Sequence, residues 1–136
     1  MLRVLKHTVS FYFLLCFVVF PCHAAPLTVE EYRRKAPSMG EFEVEGYVVK
    51  QYRCPPCPVG AMCKPCMRDN ILISAKKEIV ETYPPNGDYI VAFVSNSQQS
   101  FVLGHRYRML IQVLAGTSTQ YGINDVELKS ARELVE

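Results

Sequence analysis

The chain has 136 residues, six cysteines, nine prolines, no tryptophan and a formal net charge of +2, with a sequence pI near 8.2. That length suits one domain, and 49% hydrophobic residues exclude a disordered chain. The slight basic excess invites a nucleic-acid partner and the cysteines invite bridges or metal, but both depend on the N-terminus.

Residues 1–24 have the three-part pattern of a secretory signal peptide. Arg3 and Lys6 form a positive start, Val9 to Phe20 are apolar, and Pro21 breaks the helix before Cys22-His23-Ala24. About 12 apolar residues reach only about 18 Å as a helix, too short for a bilayer core of roughly 30 Å. Cleavage after Ala24 is expected, giving a periplasmic or secreted chain with no membrane span. Arg3 and Lys6 leave with the signal, taking 15 basic residues to 13 against 13 acidic ones. Cys16 and Cys22 leave too, so residues 25–136 keep four cysteines and one histidine, His105. A neutral exported domain has little electrostatic reason to bind nucleic acid.

The first element expected in residues 25–136 is a short helix. Thr28 is placed to cap it, with Glu31 three residues on completing a capping box and Leu27 with Tyr32 as a hydrophobic staple. Pro37 stops it, because a residue before proline avoids helical geometry. Phe42, Val44, Gly46 and Val48 then alternate with Glu41, Glu43, Glu45 and Tyr47, the period of a half-exposed strand. Gly46 in its middle suggests a bulge. Asn70 to Ser74 is a second strand. Asp88 to Val94, apolar on both faces, is a third and follows a Pro84-Pro85-Asn86-Gly87 turn. In the fourth, Tyr107, Met109, Ile111 and Val113 oppose Arg106, Arg108, Leu110 and Gln112. Tyr121 to Leu128 is a fifth, kinked near Asn124-Asp125, and Lys129 to Glu136 form a helical turn or fray. No repeat or linker divides residues 25–136, so they form a single domain.

Five short strands with one long loop make a small, mainly β barrel. Val44-Glu45-Gly46-Tyr47-Val48-Val49 and Leu103-Gly104-His105-Arg106-Tyr107-Arg108 resemble the first and fourth strands of an OB-fold. Over residues 41–128 the chain resembles small exported bacterial OB-fold proteins. The resemblance implies a five-stranded OB-like barrel with the cysteine-rich loop between its first two strands. The chain departs from that fold at Ser95 to Ser100, too short and polar for the helix that joins the third and fourth strands. An SH3-like barrel fits the same strand count.

All four remaining cysteines fall at Cys54, Cys57, Cys63 and Cys66. An even number in an oxidising compartment favours structural disulfides. Three connectivities exist, and a loop folding back around Pro58-Val59-Gly60-Ala61 favours the nested pairs Cys54–Cys66 and Cys57–Cys63. The outer bridge then closes about 13 residues, on the order of 3 kcal/mol in the chain-entropy model. The alternative is a metal site: two C-x2-C knuckles present Cys54, Cys57, Cys63 and Cys66 to zinc, and Met62 or Met67 would bias the set toward copper. Thiol–disulfide redox chemistry is a third reading, disfavoured because Pro58 disrupts the helix that would activate Cys54.

Little else suggests catalysis. His105 is alone, Glu41, Glu43 and Glu45 read as the solvated face of a strand, and Arg106 and Arg108 read as their cross-strand partners. Tyr47 and Tyr52, with Arg53, Lys64 and Arg68, are candidate binding residues near the loop. The sequence thus points to an exported, non-enzymatic binding or assembly module without a cofactor. It would present its disulfide-braced loop to an envelope protein or another cell-envelope component.

Overall fold

A computed structural model describes residues 24–84, 88–96, 98–114 and 126–135. The expected export signal up to His23, most of the turn at 84–87 and the expected kink at Asn124-Asp125 lie outside the described residues.

A two-residue strand β1 (Leu27–Thr28) leads into helix α1 (Val29–Lys35). The Thr28 hydroxyl accepts the Glu31 N–H at 3.2 Å, and the Glu31 carboxylate accepts the Thr28 N–H at 2.8 Å. This reciprocal box satisfies two of the donors that a helix start leaves open. The same bonds hold the Glu31 carboxyl below its ordinary pKa. Arg33, Arg34 and Lys35 occupy the last turn, where cations suit the helix dipole. Ala36 ends the helix in the left-handed conformation at φ 41°, its N–H donating to the Tyr32 carbonyl. A seven-residue helix is marginal by itself. Here Val29 and Tyr32 are buried in the main core, and Arg33 donates to the Tyr89 carbonyl at 2.6 Å.

The remaining strands are β2 (Gly40–Tyr52), β3 (Asn70–Ser74), β4 (Tyr89–Val94), β5 (Arg106–Val113) and β6 (Val126–Glu133). They form one mixed sheet in the order β1-β2-β3-β4-β6-β5, and β2 also pairs with β5. The length of β2 makes this possible. Gly40 to Tyr47 run antiparallel to β5, while Tyr47 to Tyr52 run antiparallel to β3. The pairings therefore return on themselves as a ring. The expected five-stranded barrel is corrected in two respects: the sheet of the described residues has six strands, and the ring is not a barrel. The added strand is β1, parallel to Val44 and Glu45 of β2. Among the described residues β4 runs parallel to β6 from Ala92↔Val126 to Val94↔Leu128.

Inside the ring lies a core that includes Val44, Val48, Ile71, Ile73, Ile90, Met109 and Ile111. β5 alternates as its sequence requires, with Tyr107, Met109, Ile111 and Val113 inward. Gly46 is not the bulge. The register shift falls between Val48 and Lys50, leaving Val49 as the extra residue. Gly46 is instead a point of close approach, where a Cβ would lie 2.8 Å from both Ile73 Cγ2 and Val29 Cγ2. The tail is corrected as well: Lys129 to Glu133 continue β6 along β5 rather than turning as a helix.

A second, smaller core lies on the other face of β2, β3 and β4. Val49, Leu72 and Val91 are covered there by Tyr47, Val80, Tyr83 and Tyr89. Val80 donates its N–H to the Val49 carbonyl at 3.2 Å, and the Tyr83 hydroxyl donates to the buried Asn70 side chain at 2.5 Å. Lys50 reaches the Glu81 carbonyl. Residues 75–84 thus strap the outer face of the sheet, and with the main core on the inner face they leave all five residues of β3 buried.

Candidate functional site

The loop joining β2 to β3 leaves the sheet at Tyr52 and returns at Asn70. Its arms are joined twice: Cys54 is bonded to Cys66 and, inside that, Cys57 to Cys63. With each sulfur bonded to another, the four cysteines offer no thiolate to a metal in this oxidised form. Among the described residues no group of three or more His, Cys, Asp or Glu side chains is placed to hold one.

The tip turns at Pro58-Val59-Gly60-Ala61, where the Ala61 N–H donates to the Pro58 carbonyl at 3.1 Å. Gly60 takes φ +81° there with open space around it, so glycine serves the turn and not the packing. Val59 and Met62 are 107% and 103% exposed. Residues 55–63, PPCPVGAMC, carry no charge, hydroxyl, amide or aromatic ring. Val59 and Met62 are thus two fully exposed apolar side chains held out from the fold by two bridges.

The neck is built differently. Asp69 Oδ1 accepts the Cys54 N–H at 2.8 Å, and the Asp69 carbonyl accepts the Val94 N–H at 2.8 Å. Arg53 and Gln51 both donate to the Gln99 carbonyl at 3.2 Å, tying β2 to the loop before β5. The Arg68 guanidinium lies 4.8 Å from the Phe93 ring centre and 3.5 Å from Glu127. The Ser95 hydroxyl and Lys129 also donate to Glu127, and these bonds hold its carboxyl below the usual range.

An open groove of about 490 Å³ runs along the loop, lined by Tyr52, Pro55, Pro56, Lys64, Pro65 and Met67 beside the sulfurs. The fold thus brings Tyr52, Lys64 and Met67 together, with Arg53 and Arg68 at the neck and Met62 at the tip. Tyr47 lies apart from them, in the small core under the strap. Between Arg53 and Arg68 the loop holds three cations and no acidic residue. Asp69, Gln99 and Phe93 position the neck and carry no motif; only Asp69, next to the cysteine cluster, stood where a search for loop-closing groups would have found it.

Glu45 accepts from Arg106 at 2.9 Å and from Arg108 at 2.8 Å across β2 and β5, the cross-strand pairing expected of these two arginines. His105 contacts Glu133 at 2.5 Å, both half-exposed.

No protein-family model matches the chain, and comparisons with curated proteins and with solved structures give no match.

Proposed function

We propose that the chain is an exported, non-enzymatic binding or assembly module that presents its disulfide-braced loop to a component of the cell envelope. The observation that carries this reading is the tip at residues 58–62. It is fully exposed and apolar at Val59 and Met62, lies beyond two covalent bridges, and belongs to neither core of the described residues. A sheet with its own core has no need of such a segment. Bracing lowers the conformational entropy that a loop loses on binding.

The rest of the molecule is the support. Its ring of β2, β3, β4, β6 and β5 returns on itself through the double pairing of β2, with β1 and α1 added at the N-terminal side. In this reading the residues before Ala25 act as the export signal, and the two bridges form in the oxidising compartment the chain enters.

The test uses a photoreactive amino acid at position 62 and, as a control, at position 79, since Ile79 is exposed on the strap. Irradiation of cells making the full chain should yield an adduct from position 62 that Val59→Asp removes. Adducts from 79 alone, or none from 62, would sink the reading.

A further inference from the structure

The chemistry of the tip selects among envelope components, and from it we infer that the loop docks on the surface of an anionic phospholipid membrane. This inference rests on the proposed role of the loop as the recognition element and names its partner.

Three features of the loop favour lipid over protein. Protein-binding hot spots are built from aromatic and arginine anchors; the tip at residues 55–63 contains neither, and Tyr52, Arg53 and Arg68 stand back at the neck. A lipid interface asks instead for exposed apolar side chains, which Val59 and Met62 supply at 107% and 103% exposure.

The second feature is the backbone. Entering the headgroup region strips water from main-chain N–H groups, and each one left without a partner is costly. Pro55, Pro56 and Pro58 have no N–H to strip. The Ala61 N–H is already bonded across the turn to Pro58. The tip therefore carries fewer open donors than an ordinary loop of its length.

The third is charge. Lys64 follows Cys63 directly, on the rim of the groove, and no acidic residue lies between Arg53 and Arg68. Shallow insertion of Val59 and Met62 brings Lys64 to the level of the phosphates. Arg53 and Arg68 stand farther back at the neck, where their attraction is partly screened over a Debye length of about 8 Å at physiological salt. Lys64 is thus the main electrostatic contact. Two side chains bury less apolar area than one acyl chain, so the partition constant should fall below roughly 10⁴ M⁻¹.

The absence of tryptophan makes the inference directly readable. The protein purified as cells produce it, with Met62→Trp, holds a single indole at the tip, and Ile79→Trp places one on the strap. Each is mixed with vesicles of phosphatidylcholine alone and of phosphatidylcholine with phosphatidylglycerol. The expected result is a blue shift for Met62→Trp with the anionic vesicles only, weakened by added salt, and none for Ile79→Trp. Flotation of the parent chain should fall at least about ten-fold with Val59→Asp plus Met62→Asp and about five-fold with Lys64→Ala. These residues lie outside the sheet, and unchanged far-ultraviolet dichroism checks that the variants fold. Equal shifts at both positions, or flotation that ignores the tip substitutions, overturns the inference. If neither vesicle binds while position 62 still cross-links to a protein in cells, the lipid partner is wrong and the loop's recognition role stands. If both fail, both readings fall.

Discussion

The carboxylate of Asp69 accepts the main-chain N–H of Cys54 at 2.8 Å, so one side chain on the returning arm ties down the departing arm at the neck. The same residue's carbonyl accepts the Val94 N–H, which fixes Asp69 to β4 and lets it hold Cys54 in place. Asp69→Ala leaves a half-buried N–H without its acceptor and should cost about 1 kcal/mol. Asp69→Asn keeps an oxygen at the same position and should recover most of that. Urea unfolding of the two variants measures the difference; equal midpoints would mean that water replaces the carboxylate without cost.

Gly46 makes a sharper steric prediction. A Cβ there meets Ile73 Cγ2 and Val29 Cγ2 at 2.8 Å and the Ser74 carbonyl oxygen at 2.9 Å. The two methyl groups can turn away, but the carbonyl belongs to the β2–β3 ladder and cannot. Gly46→Ala should therefore destabilise by about 2–3 kcal/mol, within the range of overpacked cores. A thermal melt within a degree of the parent would show that β2 and β3 separate more easily than their pairing suggests.

Other elements differ in how much of them the sequence shows. β5 was legible because one face meets the core and the other meets water, so Arg106 to Val113 alternate without interruption. Thr28 and Glu31 were legible because a capping box is local. A two-residue strand such as β1 has no period to read. In β6 the register shifts between Leu110 and Ile111 of its partner, leaving Lys129 as an extra residue, and the alternation that would have marked Lys129 to Glu133 as strand is reset there. The strap was hidden for a different reason. Val80 and Tyr83 sit among Lys76, Lys77, Glu78 and Glu81, and only tertiary contact with Val49, Leu72 and Val91 shows that they are core. At the loop, the spacing of the cysteines confined the bridges to one hairpin connection, whereas the Asp69 and Phe93 contacts at the neck depend on strand register.

Tyr32 predicts alkaline lability. Its burial raises the phenol from an ordinary value of 10.0 to about 12. A group whose folded pKa lies above its unfolded one contributes fully below the unfolded value. That contribution is lost as pH rises through the folded value, because the unfolded chain ionises first. Stability should hold to about pH 10 and then decline toward pH 12. At about 1.4 kcal/mol per pH unit, this residue accounts for roughly 2–3 kcal/mol of the loss. Tyr32→Phe keeps the ring in the core and removes the ionisation, so its unfolding midpoint should fall less steeply over that interval. Parallel curves for the two proteins would assign the decline to other groups.

The two bridges should be separable by what each constrains. Cys54–Cys66 spans 12 positions at the foot of the loop, where both arms enter paired strands. Breaking it with Cys54→Ala and Cys66→Ala frees the unfolded chain while the folded neck is still held by Asp69. In the chain-entropy account this costs up to about 3 kcal/mol of global stability. Cys57–Cys63 spans six positions, within a segment whose tip rests on nothing. When it is removed, residues 58–62 gain freedom in the folded and the unfolded chain alike, and the two gains largely cancel. Cys57→Ala with Cys63→Ala should therefore leave the guanidinium midpoint nearly unchanged. Amide exchange at Val59 to Met62 should nevertheless become faster, and any binding by the loop should weaken because the tip must be ordered anew. If the inner pair proves as costly to global stability as the outer, the tip is packed against the sheet in solution and is no free recognition element.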